Sequence, residues 1–363
     1  MALILHAADL HLDSPFRSLP AAEAARRRSE QRRLLESLRD LALERRVDLV
    51  LLAGDLFDGR ETYPETVALL ARTLGEMAVP VVIAPGNHDF WEEKSPYAAQ
   101  PWPENVHIFR SPQISAFPFP ALGVTVYGAA FTAPSREDDP MAGFSAQEDG
   151  NLPLMVLHGD MGGRGGYGPI SPALVAGSGL AYLALGHIHQ YSGLQQAGNT
   201  FWAYPGCPQG RGFDETGDKG VLLAEVTPAG VSAQFCPLPG PRYRVLSAPL
   251  DGRPAAQALL DALGGDCRED YCRVTFTGES DGLDLAPLRA LGEPLCRALD
   301  LRAETVMSRD LWLRAGEETL TGLFLREMQE KLAHAPDDQT RRRVELATRY
   351  GLAALEGRED PTL

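Results

Sequence analysis

Carboxylate and imidazole side chains follow apolar, strand-like runs at several places in the chain. The stretch VDLVLLAGDLFDGR, from Val47 to Arg60, suits a buried strand up to Ala53 and then carries Asp55 and Asp58. Four other runs end in the same way, in the groups Asp9-Leu10-His11, Gly86-Asn87-His88-Asp89, His158-Gly159-Asp160 and Gly186-His187-Ile188-His189. Because an unpaired carboxylate is costly to bury, charges placed this close to the interior indicate a bound partner.

These residue types are typical of a metal centre. In an open α/β sheet, ligands bind at the carboxyl edge of the strands, where the five groups would meet. Carboxylates, an amide and imidazoles without a thiolate suit divalent transition metals. A bridging carboxylate, for which Asp55 is the natural candidate, lets two ions about 3.5–4 Å apart activate water for phosphoryl hydrolysis. Any one group alone is more often structural, for example as a helix cap; five in order favour the metal centre.

The periodicity predicts the elements that position these groups. Each of the five runs is apolar enough to be a strand buried on both faces. Helical patterns from Arg26 to Arg46 and from Pro64 to Met77 separate the first three runs. The order βαβαβ predicts a layered α/β domain, and shorter strand-like runs beyond Gly193 predict a more antiparallel continuation.

The length of 363 residues predicts more than one domain, since an average domain has roughly 150 residues. We predict a first domain over residues 1–240, a small α+β capping domain over 241–315 and a helical tail over 316–363. The tail contains two amphipathic helical patterns between Glu317 and Glu356, with an apolar face and no obvious core of its own. This face either docks on the parent domain or binds a partner, and the pattern favours neither.

The composition is that of an ordinary globular protein, with 44% apolar and 23% charged residues. No run approaches the ~18 apolar residues of a spanning helix, and the apolar start of the chain is too short for a signal peptide. Five cysteines without close pairing suit reduced thiols. We therefore expect a cytoplasmic protein without a membrane partner. The net charge of −15 counts against DNA binding by this chain alone.

The motifs resemble those of the calcineurin-like metallophosphoesterases. The family signature of D-x-H, G-D-x-x-D, G-N-H-D/E, a lone histidine and G-H-x-H is matched in order. Within that superfamily, the opening HAADLHLDSPF, the segment YPGCPQGRGFDE and the small following domain resemble the SbcD-type DNA repair exonucleases, nearest the YhaO-type branch. The resemblance covers about residues 1–240 and extends beyond them only in layout.

The resemblance implies a fold, a cofactor and a set of site residues. The fold would be a layered α/β metallophosphoesterase sandwich followed by the capping domain and a C-terminal helical hairpin. The cofactor would be two divalent ions, with Mn²⁺ favoured. One ion would be held by Asp9, His11, Asp55 and His189, and the second by Asp55, Asn87, His158 and His187. His88 would face the scissile phosphate, with Asp89 orienting its imidazole ring.

Other polar residues carry weaker expectations. Arg164, Tyr167 and Arg211 are placed for substrate contact, whereas Asp13, Asp58 and Asp160 are expected to support or cap. The arginine runs at 26–28, 32–33 and 341–343 are interspersed with glutamates and are better explained as solvated helix faces. His6 lies inside the first strand, where a satisfied core histidine is expected, and we place His107 and His334 at the surface.

Three functions remain open at this point. The leading one is a dinuclear metal-dependent DNA exonuclease that acts in DNA repair with an SMC-like or SbcC-like coiled-coil ATPase, which would bind the helical tail and supply a basic DNA track. The second is a phosphoesterase for a small phosphomonoester or cyclic nucleotide. The third is a non-catalytic assembly subunit, against which the retention of every ligand position argues. The sequence leaves cleavage polarity and homodimer formation open.

Overall fold

The computed structural model of the protein describes residues 1–17, 19–59, 62–163, 165–265, 267–280 and 282–357. The chain divides into two compact units. Met1–Arg211 and Asp218–Gly240 form the first unit, and Gly212–Gly217 and Pro241–Leu363 form the second. The assignment of functional domains to residues 1–240, 241–315 and 316–363 stays a prediction.

The first unit contains the strands and helices that carry the predicted site groups. Its strands are β1 Ala2–Ala7, β2 Leu49–Leu52, β3 Val81–Ile83, β4 Val106–Ile108, β5 Ser115–Phe119, β6 Val124–Gly128, β7 Leu152–His158, β8 Asp160–Met161, β9 Pro169–Ile170, β10 Tyr182–Gly186, β11 Gln195–Ala197, β12 Thr200–Ala203, β13 Gly220–Thr227 and β14 Gly230–Pro237. Its α-helices are α1 Ala21–Arg45, α2 Pro64–Glu76, α3 Pro96–Ala99 and α4 Pro172–Gly177.

The described strands of this unit form two six-stranded sheets and one small pair. The first sheet has the order β14-β13-β1-β2-β3-β4, and the second has the order β11-β12-β10-β7-β6-β5. Strands β1 to β4 run parallel, while β13 and β14 add antiparallel neighbours, as the sequence predicts. The five strands that precede the site groups do not share one sheet, because β1, β2 and β3 belong to the first and β7 and β10 to the second.

Alternating side chains along the strands explain this layering. On β1 and β2, Leu5 and Val50 pack with Leu38 of α1 and Leu70 of α2 on the outer face of the first sheet. The intervening residues face the second sheet in a shared core that includes Ile4, Leu49, Leu51, Val126, Leu154 and Val156. Strands buried on both faces give the continuous apolar runs seen in the sequence. The first unit is therefore the expected layered α/β sandwich.

His6 is a satisfied residue of the core between the sheets, as the sequence predicts. It is fully buried, and its Nδ1 lies 2.9 Å from the Tyr182 hydroxyl oxygen. Its Nε2 lies 3.1 Å from the carbonyl oxygen of Leu185. Burial lowers the pKa of His6 to about 3.

The second unit contains a parallel sheet and a group of C-terminal helices. Its strands are β15 Tyr243–Pro249, β16 Cys267–Glu279 and β17 Cys296–Val306, and its α-helices are α5 Ala255–Leu263, α6 Leu285–Gly292, α7 Arg309–Leu313, α8 Leu320–Ala333 and α9 Asp338–Leu355. The strands pair in the order β15-β16-β17, all parallel, with α5 and α6 in the connections. Strand β17 is not among the strands that the sequence predicts.

The helical hairpin of α8 and α9 has a small core, contrary to expectation. Leu325 and Leu352 are fully buried and share a cluster with Leu311 of α7. The Phe324 ring packs on Gly351, where a Cβ atom would lie 2.2 Å from it. Leu320, at the start of α8, lies outside this core and is 68% exposed. None of the described helices combines the length and apolar character that a membrane span requires.

The lowered pKa of His6 predicts a pH-dependent stability. Unfolded His6 takes up a proton below about pH 6.5, while the folded ring resists protonation until about pH 3. Stability is therefore fully present above pH 6.5 and is lost as the pH falls toward 3. We expect the free energy of unfolding, measured by urea titration between pH 7 and pH 4, to fall less steeply in His6→Gln, by up to about 1.4 kcal/mol per pH unit. His334→Gln, at an exposed position, is the control and should show the wild-type pH dependence. An equal slope of the free energy of unfolding against pH in His6→Gln and wild type would contradict the prediction.

Candidate metal centre

The carboxyl ends of five strands, drawn from both sheets of the first unit, bring the predicted ligands together. Asp9 and His11 follow β1, Asp55 follows β2, Asn87 and His88 follow β3, His158 ends β7, and His187 and His189 follow β10. Asp9, His11, Asp55 and His158 are each at most 2% exposed. The site therefore concentrates carboxylates and imidazole nitrogens, four of them on buried residues.

Strained backbone turns these side chains inward. Asp9, His11 and Asp55 have φ values of 55°, 42° and 51°, in the left-handed region that residues other than glycine seldom occupy. Paired hydrogen bonds hold this conformation, since Asp9 N donates to Gly54 O at 3.0 Å and His11 N donates to Asp55 O at 2.9 Å. Strain of this kind persists where the surrounding structure over-determines it, and it concentrates at functional sites.

The first candidate ligand group consists of Asp9, His11 and His189, whose ligand atoms lie within 4.8 Å of one another. The Nε2 atoms of His11 and His189 are 3.1 Å apart. Burial lowers the pKa of His11 to about 4, so its ring is neutral at physiological pH. Only one hydrogen fits between the two nitrogens, so at least one lone pair lies at this contact, where a cation would suit it.

The second candidate group consists of Asp9, Asp55 and His158. His158 Nδ1 lies 2.9 Å from Ala53 O, which can only accept, so in the neutral ring Nδ1 carries the hydrogen. The lone pair on Nε2 then faces Asn87 Oδ1 at 3.0 Å and Asp55 Oδ2 at 3.4 Å. In that form three electron-pair donors converge with no proton between them, an arrangement that a divalent ion would satisfy.

Asp9 is a member of both groups, and Asp55, which belongs to the second group, also approaches the first. The Oδ2 atom of Asp55 is 3.7 Å from His11 Nε2 and 3.4 Å from His158 Nε2. The position fits a shared carboxylate. His187 lies beside the second group, with its ring centroid 5.3 Å from that of His158. Burial lowers the pKa of His187 to about 4, which keeps the ring in the neutral form that binds metals.

Glycines allow this close approach. Gly54 has a φ of +83°, and a Cβ atom there would lie 2.6 Å from His158 Nδ1. A Cβ atom at Gly86 would lie 2.2 Å from Asp55 Oδ1. The donor set, its burial and the crowding together fit a pair of divalent cations.

His88 is the exposed imidazole of the site. Its backbone N donates to Asp55 Oδ1 at 2.9 Å, and its ring Nδ1 lies 3.1 Å from Asp58 O. The first bond holds the backbone of His88 and the second orients its ring. The ring Nε2 takes part in neither contact. His88 also forms a third close group with His11 and Asp58, and the sequence had suggested only a supporting role for Asp58.

Asp89 does not orient His88, and this expectation was wrong. The fully buried Asp89 carboxylate accepts hydrogen bonds from the backbone amides of Leu56, Phe57 and Gly86 and from the Tyr97 hydroxyl. Its lone pairs are thus directed to the backbone of two loops. Burial raises the pKa of Asp89, and the charge of Asp55 adds to the effect.

The substrate candidates have different surroundings. Arg211 Nη1 donates to Asp58 Oδ1 at 2.8 Å, and its Nη2 lies 3.2 Å from His189 Nδ1, so this guanidinium contacts the site's own residues. The Tyr167 ring is 48% exposed, with its centroid 5.2 Å from that of His187. Arg164 lies outside the described residues.

Several buried side chains that support the site were missed by the sequence analysis. Gln31 Nε2 donates to His11 O at 2.9 Å, Arg27 Nη2 donates to Gly210 O at 2.7 Å, and Lys219 Nζ donates to His189 O at 3.0 Å. The solvated-face interpretation was wrong for Arg27, which is 0% exposed. A signal existed, because Arg27 and Gln31 continue the helical stripe of Leu34 and Leu38.

Comparisons with known proteins show which proteins this chain resembles. The family model for calcineurin-like phosphoesterases matches residues 2–191. Uncharacterized metallophosphoesterase YhaO of Bacillus subtilis is 36% identical over 244 residues, which are 64% of this chain and 59% of YhaO. The D component of nuclease SbcCD from Rhodobacter capsulatus is 27% identical, over 88% of this chain and 94% of that protein. The crystal structure of TT1561 of Thermus thermophilus aligns with a TM-score of 0.40 and 12% identity, over 64% of this chain and 98% of that one.

The chain therefore belongs to the calcineurin-like phosphoesterase family, whose members are metal-dependent phosphoester hydrolases. The resemblance inferred from the motifs is confirmed at this level, and the relatives place the chain among YhaO-like and SbcD-like proteins. The matched region spans little more than half of YhaO, at 59% of its length.

The crowding at Gly86 predicts the effect of one added methyl group. In Gly86→Ala the new Cβ collides with Asp55 Oδ1 and displaces the carboxylate between the two ligand groups. We expect Mn²⁺ affinity, measured by isothermal titration calorimetry, to fall at least about tenfold. Gly177→Ala is the control, because nothing lies within 4 Å of a Cβ atom there. Unchanged Mn²⁺ affinity in Gly86→Ala would show that Asp55 is not a ligand.

Proposed function

We propose that the protein is a dinuclear metal-dependent DNA nuclease of the SbcD type that hydrolyses phosphodiesters. The observation that carries this proposal is the position of Asp55 Oδ2, between His11 Nε2 at 3.7 Å and His158 Nε2 at 3.4 Å. A carboxylate between two sets of imidazoles supports a pair of ions at the spacing that phosphodiester hydrolysis uses. We favour Mn²⁺ for both.

Each predicted ligand has a place in this assignment. The first ion would be held by Asp9, His11, Asp55 and His189, and the second by Asp55, Asn87, His158 and His187. When bound, the two ions would supply an activated water and balance the charge on the attacking and leaving oxygens. Burial keeps His11 and His187 neutral, so these rings are ready to bind without first losing a proton.

His88 would act on the substrate rather than on the ions. Its Nδ1 is directed to Asp58 O at 3.1 Å and its backbone N to Asp55 at 2.9 Å, so the ring is held without being buried. We assign to its Nε2 the transfer of a proton to the leaving oxygen, or a hydrogen bond to the phosphate as charge develops there. Tyr167 would contact the substrate beside His187. Arg211 would act chiefly by supporting Asp58 and His189.

DNA as the substrate is supported by the relative from the SbcCD nuclease, which aligns over 88% of this chain. The net charge of −15 opposes DNA binding by this chain alone, so we propose that an SbcC-like coiled-coil ATPase supplies basic surface. The second unit offers a surface for such a partner. Leu313, Leu320 and Leu323 around α7 and α8 are 76%, 68% and 58% exposed.

A phosphoesterase acting on a small phosphomonoester or cyclic nucleotide is the second candidate. The same net charge favours it, because a small ester requires no extended basic track. The metal centre serves either substrate.

Substitution of His88 tests the proposed chemistry. With Mn²⁺, we expect the protein to cleave linear duplex DNA, single-stranded DNA or both. In His88→Ala, the rate should fall at least about a hundredfold while Mn²⁺ binding persists. His334→Ala, at an exposed position in the second unit, should retain activity. Turnover of bis-p-nitrophenyl phosphate without DNA cleavage would favour the second candidate, and an inert metal-loaded protein would favour a non-catalytic assembly role.

The exposed leucines of α8 test the proposed partner. We expect the chain to co-purify with a coiled-coil ATPase from the same organism, and Leu320→Glu to abolish co-purification by placing a charge in an apolar contact. Leu43→Glu is the matched control, because Leu43 is 49% exposed on α1 of the first unit. Equal retention of the ATPase by both variants would exclude α8 as the binding surface.

A further inference from the structure

Tyr97 is a buried polar residue with no assigned part in the reaction. It lies on the short helix α3 and is 1% exposed. Its hydroxyl donates to Asp89 Oδ2 at 2.6 Å. Burial raises the pKa of Tyr97 well above its ordinary value, with Asp89 adding to the effect, so the phenol keeps its proton and remains a donor.

The Asp89 carboxylate joins two loops of the metal centre. Its Oδ2 accepts from Leu56 N at 2.7 Å and from Phe57 N at 3.1 Å, on the loop after β2. Its Oδ1 accepts from Gly86 N at 2.8 Å, on the loop after β3. The described pairing of β2 with β3 ends at Leu52 and Ile83. Beyond these residues, the Asp89 carboxylate connects the two loops.

Each of these amides adjoins a predicted ligand. Leu56 follows Asp55, the proposed shared carboxylate, and Gly86 precedes Asn87, a proposed ligand of the second ion. The position of Asp89 consequently contributes to the spacing between Asp55 and Asn87, together with the hydrogen bond from His88 N to Asp55 Oδ1. Tyr97 supplies Asp89 with its only described side-chain hydrogen bond, on the same Oδ2 atom that accepts from the amides of Leu56 and Phe57.

The Tyr97 ring is held independently of its hydroxyl. Its centroid lies 5.8 Å from that of Phe57 and 6.0 Å from that of Trp102. The Trp102 indole N donates to Tyr97 O at 2.9 Å. Tyr97→Phe should therefore keep the packing of α3 and remove only the donor to Asp89.

We propose that Tyr97 is a positioning residue for the metal centre, which acts through Asp89 to fix the distance between Asp55 and Asn87. The proposal rests on the proposed dinuclear site. Loss of the Tyr97 hydroxyl would loosen the position of Asn87, and so weaken binding of the second ion. The positions of Asp9, His11 and His189, which would hold the first ion, would change less. That first group is held by the separate hydrogen bonds of Asp9 and His11 to the backbone of Gly54 and Asp55.

The test compares Mn²⁺ binding by Tyr97→Phe and wild type. In Tyr97→Phe, we expect isothermal titration calorimetry to show the second Mn²⁺ bound about ten- to a hundredfold more weakly, the usual effect of losing a residue that orients a ligand. The multiline electron paramagnetic resonance signal of a coupled manganese pair should weaken at a metal concentration that saturates wild type. Higher Mn²⁺ concentration should restore both the signal and the hydrolysis rate.

Tyr182→Phe is the matched control. Tyr182 is also fully buried in the first unit, and its hydroxyl contacts one side chain, His6, at 2.9 Å. Both variants lose one buried hydroxyl, so both should lower the melting temperature of the metal-free protein, but only Tyr97→Phe should change Mn²⁺ binding. Asp89→Asn provides a second variant, and the double variant should bind Mn²⁺ no more weakly than the worse single variant.

The outcomes separate this inference from the function on which it rests. If wild type binds no manganese pair, the proposed dinuclear site fails. If wild type binds the pair and Tyr97→Phe binds it equally well, only the role of Tyr97 fails. An equal loss in Tyr182→Phe also overturns the inference, because it would show a general response to removing a buried hydroxyl.

Discussion

The burial of two carboxylates among imidazoles is the constraint on which the first unit depends. Asp9 and Asp55 are 1% and 2% exposed, and burial keeps the nearby rings of His11 and His187 uncharged. Moving a carboxylate from water into such a site costs several kcal/mol. A divalent cation held by these residues would offset this cost. The fold and the cofactor are therefore expected to stabilise each other.

The scaffold meets this constraint through backbone geometry more than through side chains. Left-handed turns at Asp9, His11 and Asp55 direct these polar residues into the candidate metal centre, and a ladder of hydrogen bonds between the loops after β1 and β2 holds them there. Glycines at 54 and 86 remove the atoms that would otherwise separate the donors. Buried polar residues on α1 then brace the loops from outside, as Gln31 does for the carbonyl of His11.

The overall charge and the local chemistry point to different aspects of function. The donor set of the candidate metal centre would suit any phosphoester that can reach it, whereas the net charge of −15 disfavours the approach of long polyanions. The helical hairpin has a core of its own and carries the exposed leucines Leu320 and Leu323.

The sequence by itself determined the family to which the chain belongs and predicted the residues of the candidate site. Strand-end motifs such as Gly54-Asp55 and Gly86-Asn87-His88-Asp89 are local, and runs buried on both faces identify the strands that carry them. Periodicity also placed α1 and α2 within a few residues of their observed ends.

Only the tertiary structure decided what depends on contacts between distant segments. It divided the five strands between two sheets and directed Asp89 to the backbone of two loops rather than to His88. In the tertiary structure Arg27 is buried and supports the backbone of Gly210, and the second unit contains the strand β17. Local sequence records the type and spacing of a side chain. The hydrogen-bond donors of a buried carboxylate depend on which segment of the chain packs beside it, as the Tyr97 hydroxyl does beside Asp89.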